Sequence, residues 1–385
     1  MSGPHEALHE ALHEVASDAP AVDLADWAIT GSRRRRRARL AAGSAVVTGL
    51  VVLAGVVLGV APGTRPVTAD DPVVAAATGG IADLPGRGVG PVSHAFRTWC
   101  LVGGPIPADC RNGEWRVVTR SGETYHMPQA LSFKSGPVFC PLAISRDGRL
   151  IAYYSRPAGT FQVRDLDSGA VLTAPVAVAE AKLGRNARLE VSDDGRYLAF
   201  TGYPSRKEDG LIIDLRAGTT TPLPAGWDPR SIDGTTVTLA RYGRWGQKAG
   251  IWVMPLTGGG SPVTVEDVYT RFSGLAPDGR TVAALRPGRS PDVWDETITM
   301  LDARTGRTTR TATMRGLPTG TGMHTLGAWL NASEVTLATF PSDDDRDNRQ
   351  VTYAVNVRTG QVRRLAVYHP QAVTHLVVPG VPPAA

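Results

Sequence analysis

Two patterns of apolar and polar positions divide this chain. From Leu40 to Ala61 it reads LAAGSAVVTGLVVLAGVVLGVA, 22 residues without a charge, which as a helix spans a hydrocarbon core of about 30 Å. Beyond about Gly90 the pattern changes to short alternations of period two. Ile151 and Tyr153, Leu198 and Phe200, Val237 and Leu239, Val282 and Ala284, and Val335 and Leu337 each stand three and five residues past the second residue of a turn. Those turns are Asp147-Gly148, Asp194-Gly195, Asp233-Gly234, Asp278-Gly279 and the degenerate Asn331-Ala332, at intervals of 47, 39, 45 and 53 residues. An Asp-Gly turn before such alternation predicts a hairpin, because glycine takes the positive φ of the turn while one face of the strand is buried.

A second turn signal follows each first one by 21 to 28 residues. It reads Asp165-Leu-Asp-Ser-Gly169, Asp214-Leu-Arg-Ala-Gly218, Pro255-Leu-Thr-Gly-Gly259, Asp302-Ala-Arg-Thr-Gly306 and Asn356-Val-Arg-Thr-Gly360. Val118-Thr-Arg-Ser-Gly122 is an earlier copy, 47 residues before Gly169, which makes six units. Units of this length with several strands each are the period of propeller blades. The expected fold is an all-β, six-bladed β-propeller, with seven blades as the alternative. A terminal strand near His375 to Val378 is expected to close the ring on the atypical first unit.

The alternations ISRDGRLIAYY and VSDDGRYLAF, each followed by a D-L-x-x-G turn, resemble the blades of the WD-repeat and TolB-like propeller superfamily, over about Gly90 to Val378. The chain departs from the WD pattern in lacking its Gly-His dipeptide and its Trp-Asp at a strand end, since Trp227-Asp228 and Trp294-Asp295 fall elsewhere.

Composition agrees with many short strands, since 43 Gly and 29 Pro favour tight turns over a helical bundle. Only four of the 41 basic residues are Lys, a coding bias typical of a GC-rich bacterial genome. Past residue 39 the body holds 35 basic and 30 acidic side chains, without the concentrated positive stripe that nucleic-acid binding requires. No nucleic-acid partner is expected.

Arg33 to Arg37 and Arg39 precede the apolar stretch, and only Arg65 closely follows it. The positive-inside rule then keeps the N-terminus in the cytoplasm and exports the body across the lipid bilayer. The expected organisation is a cytoplasmic tail over 1–39, a transmembrane helix over 40–61, an extracytoplasmic linker over 62–89 and a propeller over 90–385. A cleaved signal peptide is the competing pattern, although the stretch is long and Pro62 follows the nearby small-residue site. In an exported body, three cysteines allow one internal disulfide. Cys100 with Cys110 is the favoured pair, and Cys110 with Cys140 remains open.

The tail contains two overlapping H-E-x-x-H matches, His5-Glu6-Ala7-Leu8-His9 and His9-Glu10-Ala11-Leu12-His13, a spacing that serves zinc hydrolysis in a helix. Here it arises from a four-residue repeat with no domain to supply a third ligand. An amphipathic helix explains it more simply. Trp27 and Ile29 are candidates for docking a cytosolic protein or for an interfacial anchor at the membrane. In the fifth full repeat Asp343, Asp345 and Asp347 alternate like the start of a calcium loop, but Asn348 and Ala354 stand where an EF-hand needs Gly and Glu.

No nucleophile elbow, Walker loop or paired C-x-x-C occurs in the body, and His94, His126, His324 and His369 are scattered across the repeats. No cofactor is expected. Trp99, Trp227, Trp245 and Trp294 stand in loop-like contexts, as candidates for an exposed recognition face or for core packing. The expected function is a non-enzymatic, membrane-tethered propeller that binds an extracytoplasmic protein or small ligand and serves in sensing or regulation. Its layout resembles small bacterial membrane regulators of sigma factors, without a readable anti-sigma motif. The alternatives are a hydrolase or lyase acting on envelope sugars or peptides, and an envelope scaffold.

Overall fold

Each Asp-Gly turn closes a hairpin for a local reason. In the computed structural model Gly148, Gly195, Gly234 and Gly279 have φ of 76°, 68°, 57° and 66°, in the left-handed region that glycine enters at little cost. The strand residue before the turn pins it: Ser145 Oγ donates to Asp147 Oδ1 at 2.6 Å and accepts the Leu150 N–H at 2.9 Å. Ser192 repeats this with Asp194 and Tyr197. The apolar pairs beyond the turns are all buried, from Ile151 and Tyr153 to Val335 and Leu337.

The structure describes residues 81–98, 113–132, 141–180, 183, 187–202, 210–243, 248–287, 296–318, 324–339, 350–368 and 373–381. The apolar stretch 40–61 and the tail lie outside them, and among the described residues no helix is long and apolar enough to cross a membrane.

The chain enters through β1 (Ala82–Asp83), β2 (Val92–Thr98), β3 (Trp115–Thr119) and β4 (Thr124–His126). Blade 2 is β5 (Leu142–Ile144), β6 (Leu150–Ser155), β7 (Thr160–Asp165) and β8 (Val171–Thr173). Blade 3 is β9 (Arg188–Val191), β10 (Tyr197–Thr201), β11 (Gly210–Asp214) and β12 (Thr219–Leu223). Blade 4 is β13 (Asp228–Asp233), β14 (Thr236–Arg241), β15 (Gly250–Pro255) and β16 (Val263–Thr264). Blade 5 is β17 (Arg271–Leu275), β18 (Thr281–Leu285), β19 (Thr297–Asp302) and β20 (Thr308–Thr313). Blade 6 is β21 (His324–Trp329), β22 (Glu334–Thr339), β23 (Gln350–Asn356) and β24 (Val362–Tyr368). The last strand is β25 (Val373–Val377).

Blades 2 to 6 are four-stranded antiparallel meanders. Their first strands pack against one another in the order β5, β9, β13, β17, β21, and so form the inner ring. Blade 1 takes its inner strand from the other end of the chain: β25 pairs antiparallel with β2, Ala95 opposite Val377 and Arg97 opposite Thr374, and packs against β5. Just past β25, the Ala328 N–H of β21 donates to Gly380 O at 2.6 Å, which closes the circle. The fold is an all-β, six-bladed β-propeller. The closing strand runs two residues earlier than the His375 start expected from sequence.

Blade 1 carries a fifth strand, because β1 lies parallel to the outer β4 with Ala82 opposite Tyr125. The final part of the segment expected as a linker is therefore held on the propeller. It continues over blade 2, where Val89 and Gly90 N–H donate to Leu166 O and Arg164 Nη2 donates to Pro85 O.

The core is a set of layers between neighbouring sheets. Leu198, Phe200 and Ile213 of blade 3 pack on Ile151, Tyr153 and Phe161 of blade 2, while Ala199 and Ile212 face Ile232 and Val237 of blade 4. Burying each large side chain removes it from water for about 1.5–3 kcal/mol. Trp329 bridges two inner strands, its Nε1 donating to Ser273 Oγ at 3.2 Å and Gly274 O at 3.0 Å.

Candidate functional site

Antiparallel meanders put the turns after first and third strands at one end of the ring and the remaining connections at the other. At the turn end, the two turn signals of a blade are bonded to each other. Arg149 Nη2 donates to Asp165 Oδ2 at 2.5 Å, Arg196 Nη2 to Asp214 Oδ2 at 2.7 Å and Arg280 Nε to Asp302 Oδ2 at 2.5 Å. The other carboxylate oxygen accepts two backbone N–H groups of its own turn, as Asp214 does from Arg216 and Ala217 at 3.0 and 2.9 Å. The Arg196 hydrogen bond holds the Asp214 carboxyl well below the usual carboxylate range, and the Arg149 bond lowers Asp165 in the same way. Burial pushes Asp302 up, but Arg280 and the Arg304 and Thr305 N–H groups outweigh it and its pKa falls. These carboxylates are engaged in structure.

Toward the axis the same end holds a second set of charges. Arg146, in the β5–β6 turn, pairs with Asp233 at the end of β13, and its Nε lies 3.6 Å from Asp193 Oδ2. Blades 2, 3 and 4 are thereby tied across the mouth of the central channel. Deeper, Arg230 leaves β13 and donates from Nη2 to Leu326 O of β21 at 2.7 Å and from Nη1 to Tyr242 Oη at 3.2 Å, so one side chain reaches from blade 4 to blade 6.

Glu190 of β9 stands opposite Ala199, on the side of the sheet that faces blade 4. The residue is partly exposed, as a channel position is, but its Oε1 is sealed from solvent and has no hydrogen-bond partner among the described residues. Burial pushes the Glu190 carboxyl up to about 8, against the opposing charges of Arg230, Arg188 and Arg146. At neutral pH it is therefore mostly a neutral acid that can donate a hydrogen bond.

Trp27, Ile29, His5, His9, His13, Cys100, Cys110, Cys140, Asp343, Asp345, Asp347, Trp99, Trp245, Trp294 and His369 lie outside the described residues. Among the described residues no group of three His, Cys, Asp or Glu is placed to hold a metal. Of the two roles open to Trp227, the core one holds: it is 5% exposed, edge-on to Trp252 at 5.6 Å, with the Arg241 guanidinium 4.8 Å from its ring. His94 is packed between Phe96 and Tyr368 and hydrogen-bonds Ser93 at 2.8 Å, and burial lowers it to about 4. His126 Nδ1 lies 3.2 Å from Glu114 Oε2, and His324 begins β21.

Sequence inspection passed over Glu190, Arg188 and Arg230. The signal was present: Arg188-Leu189-Glu190-Val191 alternates charged and apolar residues just before an Asp-Gly turn, where Leu142-Ala143-Ile144 stands in the preceding unit.

No family model matches the chain, and no curated protein matches it in sequence. Among solved structures it is similar to TolB from Acinetobacter baumannii, 18% identical with a TM-score of 0.48, over 76% of this chain and 67% of that one. It is also similar to a putative TolB from Agrobacterium tumefaciens, 16% identical with a TM-score of 0.44, over 72% and 90%. A chain of a nidogen/laminin complex is 9% identical with a TM-score of 0.45, over 74% and 97%. The likeness is one of fold.

Proposed function

We propose that this chain is a membrane-tethered, extracytoplasmic propeller that binds a protein partner through the end of the ring opposite the turns. The observation that carries the proposal is topological. The β2–β3 connection contains Trp99, the β14–β15 connection Trp245, the β18–β19 connection Trp294 and the β22–β23 connection the Asp343 to Asp347 run. Each of these connections joins second and third strands, whose facing ends all lie at that one end. A Trp in the sequence of each of three connections that start and finish at one end of the ring suits recognition of a protein surface, where Trp and Tyr carry much of the binding energy.

Export rests on the uncharged run from Leu40 to Ala61 behind its arginine block. The tail with Trp27 and Ile29 then lies in the cytoplasm, available to a second, cytosolic partner, and the pair of contacts gives a sensing or regulatory role.

The topology is tested by fusing a reporter after Ala385; activity only in the cytoplasm would refute export. The partner face is tested by in-membrane crosslinking of the intact chain and of a Trp99→Ala, Trp245→Ala, Trp294→Ala variant. Loss of the extracytoplasmic crosslink in the variant supports that face. An undiminished crosslink removes it. A deletion of residues 2–30 that abolishes a cytosolic crosslink supports signalling through the tail.

A further inference from the structure

The outer rim of blades 5 and 6 carries charge of one sign. Residues 303–318 and 357–368, which run from the last turn of each blade through its outer strand, hold seven arginines and no Asp, Glu or Lys, and all seven arginines are exposed. Arg363 pairs with Glu334 at 3.4 Å, whereas Arg304, Arg307, Arg310, Arg315 and Arg358 have no carboxylate within ion-pair distance among the described residues. The two stretches form one surface: Arg310 Nη1 donates to Arg358 O at 3.4 Å, Arg315 N–H to Gly360 O at 2.8 Å and Val362 N–H to Arg315 O at 3.0 Å.

The fold does not require this charge. The outer strands of blades 2, 3 and 4, Val171–Thr173, Thr219–Leu223 and Val263–Thr264, hold the same place without an arginine. Like charges crowded without counter-charge repel one another and work against the compact state, so the rim calls for anions from outside the chain.

Two further features say what carries those anions. Leu330 and Leu365 are 48% and 39% exposed, two of the five large apolar side chains left in water among the described residues. Leu365 is the bulged residue of β24, between the Arg364–Tyr353 and Ala366–Thr352 pairs, and Leu330 donates its N–H to O of Glu334, the partner of Arg363. Arginines at the depth of phosphates with leucines among them fit a lipid interface, and a polyanion in solution offers the leucines no apolar layer. The tether also arrives next door. Tyr368 at the end of β24 stands edge-on to His94 of blade 1 at 5.0 Å, and blade 1 is where the chain coming from Ala61 joins the ring, at β1 after 20 residues. That is at most about 70 Å of extended chain, which holds the rim near the bilayer at high effective concentration.

We propose that the turn end of blades 5 and 6 lies against the anionic phospholipid headgroups of the membrane that holds the chain. The inference rests on the membrane tether proposed above. It leaves the opposite end of the ring, with the partner face, turned away from the lipid.

The test places the full chain in nanodiscs of phosphatidylcholine or of phosphatidylglycerol and footprints its arginines with phenylglyoxal, read by mass spectrometry. Arg307, Arg315 and Arg358 are expected to react about fivefold more slowly in phosphatidylglycerol, the factor that one arginine gains beside an anionic surface. Arg216, which holds in blade 3 the turn position of Arg358, should react alike in both. Sodium chloride at about 0.5 M, where the screening length is about 4 Å, should remove the difference. Arg315→Glu with Arg358→Glu should leave Arg307 equally reactive in both lipids, and Arg315→Lys with Arg358→Lys should keep it protected. Equal reactivity of the native rim in both lipids, or equal protection of Arg216, overturns the proposal and leaves the anchor standing if the chain stays in the discs. A chain retained in neither disc refutes the anchor, and the rim is then judged by adding phosphatidylglycerol vesicles to the free chain, where unprotected arginines overturn the proposal as well. Protection by poly-glutamate added to the phosphatidylcholine discs, without protection by phosphatidylglycerol, overturns it in favour of an acidic protein.

Discussion

Arg196 and Asp214 meet at the turn end of blade 3, with Nε and Nη2 of the arginine donating to Oδ2 of the carboxylate at 3.0 and 2.7 Å. Arg149 with Asp165 and Arg280 with Asp302 repeat the pair. Where one member is missing, so is the other. The Asp233-Gly234 turn is followed by Thr235 and its blade has Pro255 at the aspartate position, and the degenerate Asn331-Ala332 turn is followed by Ser333 and matched by Asn356. The arginine alone is an exposed side chain and the aspartate alone a turn cap; together they lock two hairpins to each other.

Asp214 is therefore expected to matter more than Arg196. Asp214→Ala strands two backbone N–H groups and the arginine, and should cost about 2–3 kcal/mol in urea unfolding. Arg196→Ala leaves the cap intact and should cost about 0.5–1 kcal/mol, as surface ion pairs do. Because the folded carboxyl is held below its unfolded value, its contribution is present above about pH 4 and fades as pH falls further. Equal costs for the two variants would show that the cap is unimportant.

His94 supplies a second acid sensitivity at higher pH. Its folded pKa of about 4 lies below the unfolded 6.5, so the neutral ring is favoured in the fold. Its share of stability is complete above pH 6.5 and shrinks as pH falls toward 4, by at most about 3 kcal/mol. His94→Gln should flatten unfolding free energy over that window. Native-like curvature between pH 6.5 and 4 in the variant would assign the effect to another group.

Gly360 and Gly218 occupy the same turn position with φ of 74° and 70°, yet a Cβ on Gly360 would stand 1.9 Å from Thr313 O of the preceding blade, whereas one on Gly218 meets nothing within 4 Å. Gly218→Ala should cost only the left-handed penalty, about 1 kcal/mol. Gly360→Ala must also push blade 6 off blade 5, and should cost at least about 2 kcal/mol more. Thermal unfolding of the two variants compares them directly, and similar melting temperatures would count against close packing of that turn on its neighbour.

The hairpins were legible in the sequence because two local devices announce them, a positive-φ glycine and an apolar pair at fixed distance. Blade count followed from the second turn signal, which recurs in all six units, whereas the Asp-Gly turn and its apolar pair recur in five with Asn331-Ala332 included. The inner residues were not, because a single charged side chain in a short first strand, such as Glu190, differs from its counterpart Ala143 only by comparison across repeats, and its neighbours Arg230 and Arg146 come from other blades. Trp227 stayed open between rim and core because it precedes a strand in a Gly-Trp-Asp-Pro context that looks like a loop, and only the folded sheet shows Trp252 and Arg241 packed around it.

Ring closure by β25 also sets an order of events. The strands β2 and β25 are separated by nearly the whole propeller in sequence, yet blade 1 has no inner strand until both exist. A chain emerging N-terminus first must hold blade 1 incomplete while five further sheets are made, with the edge of β2 open to pairing by any extended segment. A chain interrupted before β25 would thus carry five closed sheets and one open seam at β2.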